Sequence, residues 1–321
     1  METALLFDRD RVEEIDDWTG ETSQLGGSSI LWVDLDKPSR DRIHEVVSGL
    51  DVSAESEARL AEGDDRPFFG DFGSYLHVTT FVPSGRGQPV ELAKVDCLVA
   101  ERWVVTVHEA PVEAFDEYRQ RAGGSGDVGR LDGLEFLANL LEWVLEAYLA
   151  AFEAVELALE EFDANAMEVP PTSPDEELRR LVALRREIGR LRGALVSHRP
   201  MFLALARPEL EAVTSSDHGE RFGALRARLE EVVQAARDSR DSVVGSFDIL
   251  IARNEQRTNE IVKVLTLGSM LLLPGALIAG IMGMNFELGL FQENAYFWVV
   301  LGFILALAAA TLVAARIRRW I

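Results

Sequence analysis

Alternation of apolar and polar positions is concentrated in the first third of the chain. Ser29-Ile30-Leu31-Trp32-Val33-Asp34-Leu35, Ser74-Tyr75-Leu76-His77-Val78-Thr79-Thr80-Phe81 and Trp103-Val104-Val105-Thr106-Val107 alternate as half-buried strands do, and Lys94 to Val99 reads as another strand. Ser39 to Leu50 and Ala54 to Ala61 have helical spacing, so the chain to about Val112 is expected to be mixed α/β. Gly123-Gly124-Ser125-Gly126 predicts a flexible break, and the pattern after it is helical to the end. Leu131 to about Met167 predicts one long helix, stopped at Pro170-Pro171. Pro174-Asp175-Glu176-Glu177 opens a second, with carboxylates where a helix N-terminus favours them. A third begins near Asp217, and from there to Met284 the only proline is Pro274. That stretch predicts a single helix of roughly a hundred ångströms at ~1.5 Å per residue, with Pro274 as its one candidate kink.

The end of this pattern changes character. Val264 to Met284 and Asn294 to Ala315 carry no charge, and each matches the ~20 residues that cross a bilayer as a helix. The expected fold class is therefore α+β in several parts. A cytoplasmic α/β domain covers residues 1–125, and long helices with a stalk cover 126–263. The first membrane helix is 264–284, an extracytoplasmic loop 285–294, the second membrane helix 295–315 and a basic cytoplasmic tail 316–321. Arg253, Arg257 and Lys263 precede the first span and Arg316, Arg318 and Arg319 follow the second, while the loop has no basic residue. The positive-inside rule then places both termini in the cytoplasm. Trp298 and Trp320 suit interfacial anchoring at opposite faces, and the N-terminus has no basic, long apolar start of the secretory kind.

Composition narrows the chemistry. The net charge of -22 over 321 residues disfavours nucleic acid and anionic headgroups as partners and favours cations nearby. Cys97 is the single cysteine, which excludes an intramolecular disulfide and a cysteine metal cluster within one chain. His44, His77, His108, His198 and His218 have no ligand-like spacing, no phosphate-binding Gly-x-x-x-x-Gly-Lys loop occurs, and no paired nucleophile and base or His-Glu-x-x-His pattern suggests an enzyme.

One face of the last long helix carries the polar residues. Steps of four and three select Asp248, Ala252, Glu255, Asn259, Val262, Thr266, Ser269, Leu273, Ala276, Gly280 and, one step on, Gly283. Leu267, Leu271, Leu272, Ile278 and Ile281 make the other faces apolar. Small and hydroxylated residues also let membrane helices pack closely, but a packing seam does not need carboxylates at Asp248 and Glu255. Two spans cannot enclose a channel, so a pore requires several copies around an axis. At the outer end Asn285 offers an amide oxygen beside the helix carbonyls, with Glu287 and Glu293 adding charge that attracts cations. A neutral oxygen suits Mg²⁺, which dehydrates reluctantly.

With Gly283-Met284-Asn285 at the end of the first of two C-terminal spans, the chain resembles the CorA family of divalent-cation channels. The likeness extends upstream through Asn259-Glu260-Ile261-Val262-Lys263-Val264-Leu265-Thr266 and Pro274 to Gly280. The resemblance implies a funnel-shaped homopentamer in the cytoplasmic (inner) membrane that conducts Mg²⁺, and in many members Co²⁺ or Ni²⁺, inward, with no organic cofactor. It implies an outer selectivity filter of Gly283, Met284 and Asn285 holding a hydrated ion. It also implies an inner polar ring at Asn259, an apolar constriction at Val262 and Leu265, an acidic metal-attracting ring at Asp248, and a basic belt of Lys263, Arg316, Arg318 and Arg319. Mg²⁺ would be the transported ion and a candidate regulatory one. Departures bear on this. Ala276 stands where magnesium-conducting relatives usually have threonine, and Met282 replaces a common aromatic. The family's regulatory aspartate on the stalk falls on Ala224, with Glu220 and Glu230 the nearest acids. The alternative is a zinc transporter of the same superfamily, proton-coupled, although such relatives usually carry Gly-Val-Asn. A membrane-anchored cytoplasmic sensor is a third reading.

Overall fold

The computed structural model describes residues 2–8, 11–15, 18, 29–62, 66–84, 90–110, 112, 115, 132–168, 174–207, 216–284 and 294–317. The chain forms two compact units, Met1–Ser246 and Phe247–Ile321.

The first unit is built on a seven-stranded sheet. Its strands are β1 (Glu2–Asp8), β2 (Arg11–Glu14), β3 (Ile30–Asp36), β4 (Phe68–Asp71), β5 (Leu76–Ser84), β6 (Glu91–Val99) and β7 (Trp103–His108), in the order β2-β1-β3-β7-β6-β5-β4. All neighbours are antiparallel except β3 and β7. Between β3 and β4 run α1 (Arg40–Gly49) and α2 (Ala54–Glu62); Ser39 caps α1, its Oγ accepting from the Arg42 N–H.

The alternation in β3 suggested a strand buried on one face, whereas the structure buries both. Leu31, Val33 and Leu35 join Ile43, Val46 and Val47 of α1 in one core. On the other side Trp32 packs edge-on against Phe115 and lies 5.2 Å, centroid to centroid, from Phe136 of α3 (Gly133–Glu168). A carboxylate on this second face must be paired to stay charged away from water. Asp34 accepts from the Thr106 hydroxyl at 2.5 Å and lies 3.3 Å from His108 Nε2. Burial disfavours a charged His108, but the hydrogen bond and charge of Asp34, the Ala110 carbonyl and Asp36 together hold its pKa above the ordinary histidine value. The α1/α2 face carries a counterpart. Asp96 accepts from Thr79 at 2.6 Å, lies 3.4 Å from His77 and 2.9 Å from Lys94. Burial would raise its pKa, and His77, Lys94 and Thr79 outweigh that and lower it.

The helices dock by the backbone. Gly133 opens α3 against the β6–β7 turn so closely that a Cβ there would stand 2.0 Å from the Ala100 carbonyl oxygen, and Asp132 caps the helix by accepting from the Glu135 N–H at 2.8 Å. The second long helix, α4 (Pro174–Ser197), ends at His198, and Pro200 starts a short α5 (Arg199–Leu205). Strand β4 pairs with β5 only from Leu76 to Thr79. Beyond it side chains replace a strand: His198 Nε2 accepts from the Phe81 N–H at 3.0 Å, and the Tyr148 hydroxyl of α3 donates to the Phe81 carbonyl at 2.9 Å. Similarly, Glu187 accepts from the Val90 N–H at 2.9 Å while Arg190 donates to the Val90 carbonyl.

The third long helix, α6, runs from Ser216 to Met282 with Pro274 inside it. In the second unit its apolar part and α7 (Asn294–Ile317) are both long and apolar enough to cross a membrane. They approach at Gly275, where a Cβ would lie 3.2 Å from Ile304 Cγ2. Val in place of Gly275 would overpack this crossing by roughly 1–3 kcal/mol; thermal unfolding of the detergent-solubilised protein should show the loss, against little change for Gly302→Val, where the space is open.

His198 carries the second prediction from the fold. Its Nδ1 donates to the Ala194 carbonyl at 2.8 Å, so Nε2 must be the unprotonated acceptor for Phe81. Burial pushes its pKa down from 6.5 to about 4. The unfolded chain therefore binds a proton between those values that the folded chain refuses. This contribution is complete above pH 6.5 and is lost as pH falls, by roughly 3 kcal/mol near the folded pKa. Denaturant titrations from pH 7 to 4 should show a shallower acid loss for His198→Gln, whose amide oxygen accepts without titrating, than for the parent; equal slopes would remove His198 as the cause.

Candidate functional site

Most of α6 in the second unit is uncovered, and the pattern of what is covered locates the site. The half-covered positions Leu267, Leu271, Gly275, Ile278 and Met282 form one line, which contains the close approach to Ile304. On the opposite side of the helix, Leu273, Ala276, Gly280 and Gly283 are exposed, as are Asp248, Ala252, Glu255, Asn259 and Val262 on the same edge earlier in the helix. Thr266 and Ser269 are half-covered and Leu265 is 68 % exposed. The polar edge expected from residue spacing is thus turned away from the chain's own second span.

The chemistry of that edge follows from the helix. In an apolar medium a hydroxyl must find an acceptor, and the carbonyl four residues back is within reach. Thr266 Oγ1 donates to Val262 O at 2.7 Å and Ser269 Oγ to Leu265 O at 2.9 Å. With both protons committed to the backbone, the lone pairs remain as acceptors, suited to a cation or its water. Lower on the helix Thr258 donates to Asn254 O at 2.9 Å and Gln256 to Glu260 at 3.4 Å. Asp248, Glu255 and Asn259 stay in solvent.

The helix tightens as it ends. The Gly283 N–H donates to Ala279 O at 2.9 Å and the Met284 N–H to Ile281 O at 3.2 Å, a three-residue bond of the kind that closes a helix. A Cβ at Gly283 would sit 3.3 Å from the Ala279 carbonyl. Met284 is 56 % exposed. Lys263 and Arg316 are exposed at the two ends of the spans. Asn285, Glu287, Glu293, Arg318, Arg319 and Trp320 lie outside the described residues.

Elsewhere the first unit contains an arrangement the sequence did not suggest. Ser56 Oγ lies 3.1 Å from His77 Nδ1, and His77 Nε2 lies 3.4 Å from Asp96. The order mimics a nucleophile, base and acid, but Ser56 and His77 are 0 % exposed, so no substrate reaches them. With the Tyr75 hydroxyl 2.9 Å from the hydroxyls of both Ser53 and Ser56, the line ties α2 to the sheet. Among the described residues no three His, Cys, Asp or Glu side chains are grouped to hold a metal ion. Cys97 is buried, and burial pushes its thiol pKa well above the ordinary value.

Comparison with known proteins gives this geometry a context. The cobalt/magnesium transport protein CorA of Thermotoga maritima is 24 % identical over 225 residues, 69 % of this chain and 63 % of that protein, so the match spans less than two thirds of that relative. The complete structure of the CorA magnesium transporter from Methanocaldococcus jannaschii superposes with a TM-score of 0.81 at 18 % identity, covering 100 % of this chain and 99 % of the other. The ZntB cytoplasmic domain from Vibrio parahaemolyticus matches with a TM-score of 0.61 at 14 % identity over 79 % of this chain and 98 % of that domain. The family model described as CorA-like Mg2+ transporter protein matches residues 27–319. With nearly the whole chain inside that match, and two C-terminal helices fit to cross a membrane, the protein belongs to the CorA-like Mg²⁺ transporter family.

Proposed function

We propose that the chain is one subunit of a membrane channel that lets Mg²⁺, and also Co²⁺ or Ni²⁺, run passively into the cytoplasm. The observation that carries this reading is the edge of α6 opposite the Gly275 line, exposed at Asp248, Glu255, Asn259 and Val262 and again at Leu273, Ala276, Gly280 and Gly283, with Thr266 and Ser269 half-covered between them. In lipid such an edge is costly unless it faces water. Copies arranged around an axis, five by the family resemblance, supply that water-filled space. Since no metal-holding group forms within one chain's described residues, rings of ligands would be assembled between copies, one Asp248 and one Asn259 from each.

In this arrangement Gly283, Met284 and Asn285 form the outer filter, with Glu287 and Glu293 drawing cations to it. Thr266 and Ser269 offer acceptor oxygens, Leu273, Ala276 and Gly280 line the narrow part, and Val262 and Leu265 constrict it. Lys263, Arg316, Arg318 and Arg319 form the basic belt and keep both termini in the cytoplasm. Each charge crossing 100 mV gains ~2.3 kcal/mol, so a divalent ion needs no further energy source. The fold likeness to the ZntB cytoplasmic domain and Ala276 in the lining favour, as second reading, proton-coupled zinc transport. Flux of Mg²⁺, Co²⁺ and Zn²⁺ into liposomes with and without a pH gradient separates the two.

Asn285→Ala should abolish Mg²⁺ uptake into liposomes while the assembly, sized by light scattering, is unchanged; normal uptake would reject the filter assignment. Asp248→Ala, removing a charge ring beside the path, should lower inward current at low Mg²⁺ roughly tenfold, the low end for charge-lined clefts. Currents unchanged across a Mg²⁺ series would leave Asp248 without a role in conduction.

A further inference from the structure

The buried line of α6 in the first unit is graded. Phe222, Leu225, Leu229 and Val232, then Ala236, Ser239, Val243 and Ser246, are all buried at alternating steps of three and four, the spacing of a helix seam. The first four are large and apolar; the next four include one alanine and two serines. The serines show what the line faces: Ser239 Oγ donates to Glu156 Oε1 of α3 at 2.9 Å, and Ser246 Oγ to Asp163 Oδ2 at 3.0 Å. Both contacts join residues 83 apart, and His218–Asp132 and Arg221–Glu135 join residues 86 apart, so the two helices run in the same direction.

The two ends of this seam differ in chemistry. Near its start Arg221 forms an ion pair with Glu135 at 2.9 Å, and His218 Nε2 lies 2.9 Å from Asp132. Near its end, among the described residues, Glu156 and Asp163 meet only serine hydroxyls, and Asp163 Oδ1 is buried without a hydrogen bond. A carboxylate drawn from water towards a neutral partner keeps a desolvation penalty that a cation would offset. A serine at a seam position also buries far less apolar surface than leucine. Closing the second half of the seam therefore gains little, and opening it rehydrates two carboxylates and two hydroxyls.

We propose that residues 236–246 of α6 form a release in the α3–α6 seam, parting from α3 and rejoining it while residues 222–232 stay clamped. Its link to conduction rests on the channel reading above; its existence does not. Two measurements on the full-length protein in nanodiscs decide it. Amide hydrogen exchange should be at least about tenfold faster over 236–246 than over 222–232, the mark of local opening. Nitroxides at Leu157→Cys and Val244→Cys, both exposed, should give two distances whose proportions shift when Mg²⁺ is replaced by EDTA. Labelled chains are diluted with unlabelled ones, and Cys97, fully buried, stays unmodified. Ser239→Leu with Ser246→Leu should slow exchange over 236–246 to the rate of the first half, leave only the shorter distance, and lower Mg²⁺ flux. Uniformly slow exchange with one distance in both conditions overturns the release; if the leucine pair prevents assembly, these two measurements on the native seam stand alone. A seam that opens in a protein that carries no Mg²⁺ supports the release and sinks the channel reading instead, while a leucine-locked seam with normal flux breaks the link between them.

Discussion

Hydrocarbon offers no hydrogen-bond partner, and that constraint governs how α6 is made. The backbone N–H and C=O groups in its apolar part must be satisfied within the helix, except where Pro274 supplies no N–H, and the same demand reaches the side chains: Thr266 and Ser269 return their protons to Val262 and Leu265. What remains exposed along one edge is oxygen lone pairs, methyl groups and glycine. The proposed conduction path is therefore a property of helical period more than of any single residue. A step of three or four keeps these positions in register while Gly275, on the side facing α7, is spent on the close approach to Ile304.

The first unit answers a different problem, that of burying charge. Each face of the sheet carries a carboxylate held by a threonine hydroxyl and a histidine, Asp34 with Thr106 and His108, and Asp96 with Thr79 and His77. Such groups are tolerated only where every partner is in place, which makes the sheet a stiff base. The helices are fastened to it by backbone recognition at Phe81 and Val90. Against this stiffness the α3–α6 seam stands out, because it exchanges leucine for serine along its length.

Several elements were legible before any coordinates. The strands at Ile30–Asp36, Leu76–Ser84, Glu91–Val99 and Trp103–His108 fall where alternation placed them, and the long helices start at Gly133, Pro174 and Ser216, within two residues of expectation. The strands Glu2–Asp8, Arg11–Glu14 and Phe68–Asp71 were missed. Two of them have four residues and both of those lie at sheet edges, where one neighbour supplies the hydrogen bonds and no apolar period is needed. The short helix Arg199–Leu205 was missed because it depends on the turn at His198 and not on its own composition.

The helical period, the two uncharged spans and the edge on which Asp248, Asn259, Ser269 and Gly283 align can be read from residue order alone, since they follow from local spacing and from the solvent each segment can tolerate. That β3 is covered on both faces, that Ser56, His77 and Asp96 are sealed inside, and that α7 takes the Gly275 side of α6 emerges with the packed chain. Those outcomes come from which distant segments meet, and pairings between residues far apart in the chain leave no periodic trace in either partner.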